Sequence, residues 1–290
     1  MISDINNYSF QLNKLDVIPT SDFLLSTLLF WNEIENIKFY TIDNGVILVQ
    51  LYPPFGISNV HLLTSVLNQK NINLAKETAK IFDIKKIKFT FNHLNEFDSL
   101  GSLNLKEDYD EFEYIYNLNE LAKLEGSKFK KQRNAYSKAL KEFNNFRTEF
   151  LNLNDVKNKD ELYLFCNECI AIKSEKNNLN KDNLLQELAA FKKCLDLSNR
   201  LNLKILKLYA DEKLSGILIY EELNNEWIVG HFFKSINGLG VYLLKEFSSF
   251  LNEKNFKYFN FQEDRGVPSL RYFKEQLNPV FLLKTYFINL

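Results

Sequence analysis

The feature that most constrains the fold is the changing periodicity of apolar residues after Phe146. The repeat switches between two residues, typical of strands, and about three and a half, typical of helices. In order it predicts strand, helix, helix, three strands, helix, strand, helix and strand, at 146–152, 159–176, 182–202, 204–209, 214–221, 226–232, 239–254, 257–261, 268–277 and 280–288. Turn signals at Asp211-Glu212-Lys213 and Asn224-Asn225 indicate an antiparallel meander.

The first half is predicted to hold a shorter version of this pattern. The strongest short hairpin signal in the chain is Asn44-Gly45, between strands at 37–42 and 45–51. The remaining predictions are helical stretches within 58–82, strands at 87–92 and near 112–117, and a helix at 128–143. We therefore expect an α/β protein of two lobes, 1–145 and 146–290.

Composition excludes several classes of protein. With 46% hydrophobic and 25% charged residues, the chain is neither disordered nor a coiled coil. Because the net charge is −1, any polyanion must bind a local patch. The sequence shows no apolar run long enough to span a membrane, no secretory signal and only three cysteines, so we expect a cytoplasmic protein without disulfides. It also shows no convincing metal cluster.

A local basic patch lies between Leu121 and Arg147, where eight Lys and Arg residues face only two Glu residues. Gly126-Ser127 precedes the basic turn and supplies a helix N-cap, and a helix N-terminus favours anions. Phosphates are expected to contact four residues, Lys128, Lys130, Lys131 and Arg133. The alternative is a solvated helix face.

The predicted element order resembles the GNAT acyltransferase fold, a mixed sheet whose central parallel strands splay apart to admit an acyl donor. In that family, an Arg/Gln-x-x-Gly-x-Gly/Ala loop presents backbone N–H groups to the pyrophosphate of coenzyme A. Gly238 and Gly240 match this loop, whereas Ser235 stands where Arg or Gln is usual. The alternative is a tight strand-to-helix turn that requires glycine.

Acidic and basic side chains are concentrated between Asn260 and Lys274, after the predicted strand 257–261. Arg265 and Arg271 are two of only five arginines. Ligands of open α/β sheets bind at the carboxyl ends of parallel strands, so this segment is a candidate site. The alternative is a salt-bridged loop that closes the fold.

Three motifs in order resemble one family. They are Gly126-x-Lys128-Phe129-x-Lys131-x-Arg133-Asn134, His231-x-x-Lys234, and Asn260-x-x-Glu263-Asp264-x-Gly266-x-x-x-Leu270-Arg271-x-x-Lys274. Together they resemble the C-terminal domain of phosphatidylglycerol lysyltransferases, especially stand-alone bacterial members. The sequence departs from the family pattern at Phe233, Phe261, Gln262 and Arg265, around the expected substrate pocket.

The resemblance implies a tandem GNAT-like fold, related to Fem-type aminoacyltransferases. It implies transfer of an aminoacyl group from aminoacyl-tRNA to a lipid, peptide or small-molecule acceptor, with no cofactor. Asp264 or Glu263 would accept a proton or hold the α-ammonium group, while Arg271 and Lys274 would supply positive charge. Asn260, His231 and Lys234 would bind substrate.

Two other functions stay open at this point. One is an acyl-CoA-dependent N-acyltransferase, favoured by the Gly238-Leu239-Gly240 turn and disfavoured by Ser235. The other is a non-catalytic binding protein that retains the fold, favoured by Phe233 and Phe261 at usually polar positions. The expected partners are tRNA and an anionic lipid headgroup or small-molecule acceptor.

Overall fold

The computed structural model describes residues 20–43, 45–51, 57–64, 68–90, 104–177 and 181–290, with backbone only for 173–177 and 181. Asn44 of the predicted hairpin lies outside the described residues, as do positions 91 and 92 of a predicted strand. The chain forms two compact units. Unit 1 comprises the described residues up to Glu113 with Glu263–Val267 and Leu283–Leu290, and unit 2 comprises Tyr114–Gln262 with Pro268–Leu282.

The described strands are numbered β1 to β13 in chain order: Lys38–Ile42, Gly45–Gln50, Asn59–Thr64, Lys86–Thr90, Lys106–Glu107, Glu113–Asn117, Phe146–Asn152, Leu203–Ala210, Lys213–Glu222, Trp227–Ser235, Tyr258–Asn260, Phe281–Leu283 and Thr285–Asn289. The described α-helices are α1 to α8: Leu25–Glu35, Gln69–Ile81, Leu118–Lys123, Lys130–Glu142, Lys159–Asn177, Lys181–Leu197, Gly240–Glu253 and Pro268–Gln276.

The sheet of unit 1 has the strand order β1-β2-β3-β4-β13-β5. The β3–β4 pair is parallel and the other pairs are antiparallel. β2 and β3 are buried at every position, which explains their continuous apolar runs. On one face Val60 and Phe89 pack with residues of α2, and on the other Leu48 and Leu63 pack with Phe23 and Leu28.

The helical stretches predicted within 58–82 are confirmed in the second part of that range and wrong in the first. Asn59–Thr64 forms β3, and Gln69–Ile81 is the helical part of the described residues in this range. A short apolar run such as Val60 to Leu63 is compatible with a buried strand or a buried helix, because periodicity does not separate the two. Asn68 is the N-cap of the helix that follows, and its side chain accepts a hydrogen bond from the Asn71 N–H.

The sheet of unit 2 has the order β12-β6-β11-β10-β9-β8-β7. Strands β7 to β10 form the antiparallel meander that the turn signals predict, and β10 pairs in parallel with β11. Leu243 and Phe247 of α7 pack into the core on one face. On the other face, Phe191 of α6 contacts Phe232 of β10, with ring centroids 5.2 Å apart.

The two sheets share one arrangement. In each, three antiparallel strands are followed by a helix and then by a strand parallel to the third, namely β1-β2-β3-α2-β4 in unit 1 and β8-β9-β10-α7-β11 in unit 2. The predicted fold class, an α/β protein with two mixed-sheet GNAT-like lobes, is therefore confirmed.

The last strand, β13, and residues 114–145 do not belong to the units that the predicted lobes assign them to. The predicted strand 280–288 is two strands, of which β12 joins the sheet of unit 2 and β13 pairs with β4 in unit 1. Residues 114–145 belong to unit 2, because β6 pairs with β11. The two compact units therefore do not meet at residue 145 in the sequence. The boundary at 145 between two GNAT-like lobes stays a prediction. Among the described residues, no helix has the length and apolar character that crossing a membrane requires.

Candidate functional site

Gln262 in unit 2 contacts three of the predicted site residues. Its backbone N–H donates to Asn260 Oδ1 at 2.8 Å, and its carbonyl accepts from Lys274 Nζ at 3.1 Å. Its side-chain Nε2 lies 3.4 Å from His231 Nδ1. Gln262 has a left-handed backbone with φ of 59°, so the chain turns sharply here. Asn260, His231 and Lys274 therefore converge on one strained turn after β11.

Lys274 is buried in this turn, with 3% of its surface exposed. Besides the carbonyl of Gln262, its ammonium group donates to that of Phe261 at 2.6 Å. The same Nζ lies 4.9 Å from the centre of the Phe261 ring. These contacts connect α8 to the segment that follows β11, so Lys274 stabilises the turn on which the other candidates depend.

His231 lies at a β-bulge, where the register between β10 and β9 shifts between Gly230 and Phe232. A bulge redirects the side chain that it carries. Nε2 of the buried imidazole is 3.5 Å from Glu221 Oε1. A Cβ at Gly230 would lie 2.9 Å from the Phe259 ring, so the close approach of β11 requires glycine there. The bulge therefore holds His231 between Glu221 and Gln262.

Three phenylalanines pack together where β10 and β11 separate. The parallel pairing ends at Val229 and Asn260, while β10 continues beside β9 to Ser235. Beyond that point the Phe233 ring centre is 5.2 Å from that of Phe261 and 6.0 Å from that of Phe273. Two of the departures from the family pattern, Phe233 and Phe261, thus place aromatic rings where a GNAT-type acyl donor is expected to enter.

Lys234 lies on the opposite face of β10 from Phe233, because side chains alternate along a strand. Its Nζ is 2.5 Å from Glu187 Oε1 of α6, and 3% of its surface is exposed. Burial lowers the pKa of Lys234, but the Glu187 carboxylate outweighs this and raises it overall. Lys234 is therefore charged in the core and is not part of the group around Gln262.

Of the two glycines of the predicted phosphate loop, Gly238 is required by its backbone conformation, whereas Gly240 has room for a Cβ at ordinary contact distances. Gly238 has φ of 89°, and Gly240 begins α7. A Cβ on Gly240 would lie 3.4 Å from Ser235 Oγ and 3.5 Å from the Phe233 ring. The loop has the tight strand-to-helix geometry that the sequence predicts, and its binding of phosphate stays a prediction.

The basic segment is exposed at the start of α4. Lys128 Nζ contacts Glu120 at 2.7 Å, and Lys131 Nζ contacts Gln276 at the same distance. Arg133 Nη1 lies 2.6 Å from the carbonyls of Leu124 and Gly126. Arg133 therefore holds the turn before the helix, whereas the Lys128, Lys130 and Lys131 side chains lie on the surface.

Glu263 and Asp264 belong to unit 1, while Arg271 and Lys274 belong to unit 2. Asp264 is fully buried, and its Oδ1 accepts a hydrogen bond from the Gly266 N–H at 2.8 Å. Gly266 has φ of 72°, and a Cβ there would lie 2.9 Å from the Asp110 carboxylate. Arg271 is half-buried on α8. The segment Glu263–Val267 is thus a tight turn with Asp264 at its centre.

Unit 1 also contains a group of charged residues that sequence reasoning missed. We call Asp22, Lys88, Glu111, Glu263 and Arg265 the buried ionic cluster. Arg265 donates to Asp22 at 3.1 Å, to Glu111 at 2.9 Å and to Glu263 at 2.6 Å, and Lys88 pairs with Glu111 at 3.1 Å. Only the scarcity of arginine, and Arg265 in place of the family's leucine, indicates from sequence that this position is unusual.

Neighbouring polar groups extend the cluster. His61 Nδ1 lies 3.4 Å from Asp22 Oδ2, and its Nε2 is hydrogen-bonded to Thr90 Oγ1 at 2.7 Å. Ser21 donates through its backbone N–H to Glu113 at 2.6 Å, and its hydroxyl lies 3.1 Å from Glu263 Oε2. Glu263 is therefore held between Arg265 and Ser21.

The buried carboxyl groups of unit 1 have pKa values shifted in opposite directions. Burial would raise the pKa of Asp22, but the Arg265 guanidinium and the His61 ring hold it well below its usual range. The pKa of Glu111 is lowered too, because Arg265 and Lys88 outweigh its burial. Burial raises the pKa of Glu35, which accepts a hydrogen bond from Gln50 at 3.1 Å, to about 8. At neutral pH, Asp22 and Glu111 of the cluster are thus ionised, while Glu35 in the same unit is a neutral carboxylic acid.

Comparisons with known proteins agree with this fold. The model of the family "phosphatidylglycerol lysyltransferase, C-terminal" matches residues 20–289. A conserved protein of unknown function from Bacteroides thetaiotaomicron has a similar structure, with 20% identity, a TM-score of 0.75, and coverage of 100% of this chain and 97% of that one. No curated protein matches the sequence.

Two other solved structures are similar at 12% identity, which shows the fold alone. The C-terminal domain of a proposed lysylphosphatidylglycerol synthetase from Agrobacterium fabrum has a TM-score of 0.60, with 98% of this chain and 92% of that chain covered. L-PGS from Bacillus licheniformis has a TM-score of 0.59, with 97% and 90% covered. Because the family model matches almost the whole described chain, the protein belongs to the phosphatidylglycerol lysyltransferase C-terminal family, whose members are of the acyl- or aminoacyltransferase kind.

Proposed function

We propose that the protein transfers an aminoacyl group from aminoacyl-tRNA to a lipid, peptide or small-molecule acceptor. Aminoacyl-tRNA is favoured over acyl-CoA as the donor because Phe233, Phe261 and Phe273 pack together beyond the parallel strands of unit 2. These rings oppose entry of the pantetheine arm of coenzyme A at that place. An aminoacyl ester on tRNA needs no such channel, because its carbonyl is presented at the end of a large polyanion.

The exposed basic segment supports the same donor. Lys128, Lys130 and Lys131 are spaced along one helical turn, at a helix N-terminus that itself favours phosphate. Backbone phosphates supply most of the affinity of proteins for nucleic acid, and lysine is well suited to contact them. An anionic lipid headgroup offers one phosphate to this surface, whereas tRNA offers many.

The reaction requires little chemistry from the protein. The acceptor hydroxyl or amine attacks the ester carbonyl, the bond to the tRNA ribose oxygen breaks, and a proton passes from the acceptor to that oxygen. We assign proton acceptance to Asp264 or Glu263 and stabilisation of the oxyanion to Arg271. Lys274 and Asn260 keep the turn in place through their contacts with Gln262.

Donor binding tests the proposal. We expect the affinity for charged tRNA to fall steeply with added salt, and Lys128→Ala, Lys130→Ala and Lys131→Ala together to flatten that slope by about one unit per lost phosphate contact. The matched control combines Lys157→Ala, Lys192→Ala and Lys213→Ala, which removes three exposed charges elsewhere in unit 2. Salt-independent binding, or an equal effect of the control, would contradict the proposal.

A second candidate is transfer from acyl-CoA, which the positive φ of Gly238 and the glycine start of α7 favour. Thermal stabilisation by coenzyme A that disappears in Gly238→Ala would support it. If neither charged tRNA nor coenzyme A binds, a non-catalytic protein that retains the fold becomes the better account.

A further inference from the structure

We propose that the outer edge of β7 is a self-association surface that pairs with the same strand of a second copy of this chain. β7 is the last strand in the sheet order of unit 2. One edge pairs with β8 in regular register from Phe146 to Asn152. In the part of the chain that the structure describes, no strand pairs with the other edge. A regular edge of seven residues is a ready template for another strand.

The sequence of β7 is complementary to itself when reversed. Phe146-Arg147-Thr148-Glu149-Phe150 read against a second, antiparallel copy places Phe146 opposite Phe150, Arg147 opposite Glu149, and Thr148 opposite itself. Each unlike pair occurs twice, as two-fold symmetry demands. Opposite charges and paired aromatic rings at facing positions stabilise antiparallel strands.

Other registers of the two strands are less favourable. Opposite residues of an antiparallel pair point to the same face of the sheet, whereas adjacent residues of one strand point to opposite faces. The two-fold axis must therefore pass through a residue and not between two residues. An axis through Arg147 would place two guanidinium groups face to face, and an axis through Glu149 would do the same with two carboxylates. Like charges directly opposite each other are destabilising. The axis through Thr148 is therefore the favoured one.

The side chains are placed for such pairing. Phe146 stacks on Tyr242 at 4.1 Å and Phe150 on Phe250 at 3.6 Å, so both rings are fixed against α7 while still partly exposed. On the other face, Arg147 pairs with Glu149 of its own strand and has 50% of its side chain exposed. A second copy would add a cross-strand partner to each charge and roughly six backbone hydrogen bonds.

Charge reversal tests the proposal in the full chain by light scattering and sedimentation. We expect a dimer for the unaltered protein, and Arg147→Glu or Glu149→Arg to weaken its association by roughly 10- to 100-fold, since both symmetry copies then face like charges. Mixing the two single variants should restore association as a heterodimer, because every facing pair at positions 147 and 149 then joins a carboxylate to a guanidinium. Lys213→Glu, an exposed charge elsewhere in unit 2, is the control.

A cross-link tests the register itself. Thr148→Cys should give a disulfide-linked dimer on mild oxidation, since residue 148 faces its own copy, whereas Asn152→Cys should not, because residue 152 would face residue 144. The native cysteines are buried and give little background. A monomer at all accessible concentrations, association that survives charge reversal, or equal cross-linking at both positions would overturn the proposal.

Discussion

Arg265 donates from Nη1 to both carboxylate oxygens of Glu111, at 3.1 Å to Oε1 and 2.9 Å to Oε2, inside unit 1. The same guanidinium reaches Asp22 and Glu263, so one cation contacts three largely buried carboxylates. Glu263, a residue of the candidate site, is thereby fixed in place by groups far from it in sequence. The arrangement makes the geometry of the segment Glu263–Val267 in unit 1 depend on this cluster.

The first prediction concerns the cost of removing that cation. Arg265→Met leaves Asp22, Glu111 and Glu263 without their main partner, and breaking a buried ion pair on one side typically costs about 3–5 kcal/mol. We expect denaturation midpoints to fall accordingly, with Arg265→Lys intermediate because lysine lacks the planar fork. Arg200→Met, an exposed position, is the control. An unchanged midpoint for Arg265→Met would show that the cluster does not stabilise unit 1.

The second prediction is a pH dependence from Glu35, whose pKa is raised by burial from 4.5 to about 8. Between these values the folded chain keeps the proton that the unfolded chain has released. The stabilising effect is therefore full below the lower value and is lost as the pH rises through the upper one.

Glu35→Gln stays neutral at every pH and isolates this effect. Relative to the variant, the unaltered protein should lose up to about 1.4 kcal/mol per pH unit in this window. Denaturation midpoints measured at several pH values check the slope, and Glu33→Gln on the exposed side of α1 is the control. A constant difference between Glu35→Gln and the unaltered protein would mean that Glu35 is ionised in the folded state.

The sequence predicts an element of this structure well where the residues that determine the element are close together in the chain, and poorly where they are far apart. Helix α7 lies within one residue of its prediction at each end, because its apolar stripe and glycine start are local signals. The prediction of a helix where β3 lies is wrong, since a buried apolar run has no distinguishing period. The pairing of β13 with β4 follows from tertiary contacts that no local pattern encodes.

The candidate site shows the same limit. The family resemblance implies that Asn260, His231 and Lys274 serve one site, and these three residues lie together around Gln262. The same resemblance groups Lys234 with His231, but the bulge and the strand alternation place Lys234 on the opposite face. The ion pair between Arg265 and Asp22 joins residues 243 positions apart, which a single sequence does not reveal.

The third prediction tests whether the phenylalanines close the splayed region. Phe233→Ala with Phe273→Ala should open it, so that coenzyme A, which should not stabilise the unaltered protein, raises the melting temperature of the variant. Phe150→Ala with Phe250→Ala removes another stacked pair of unit 2 and should show no such gain. Equal stabilisation of the unaltered protein by coenzyme A would contradict this account of the donor.

The fourth prediction separates catalysis from structure at Asp264 and Arg271. Asp264→Asn keeps an oxygen that can accept from the Gly266 N–H, so melting should change little. Loss of a charge that stabilises the transition state typically lowers the rate by about 100- to 1000-fold, and we expect this for both Asp264→Asn and Arg271→Ala. If aminoacyl transfer is unchanged, or if its loss follows melting, these residues are not part of the reaction centre.

Aminoacyl transfer is tested most directly by a single-turnover reaction with tRNA charged with labelled amino acids, with phosphatidylglycerol vesicles and a peptide mixture as acceptors. The proposed function predicts that label leaves the tRNA and appears in an acceptor only when the protein is present, and that labelled acetyl-CoA gives no product under the same conditions. Product from acetyl-CoA with none from any charged tRNA would contradict it.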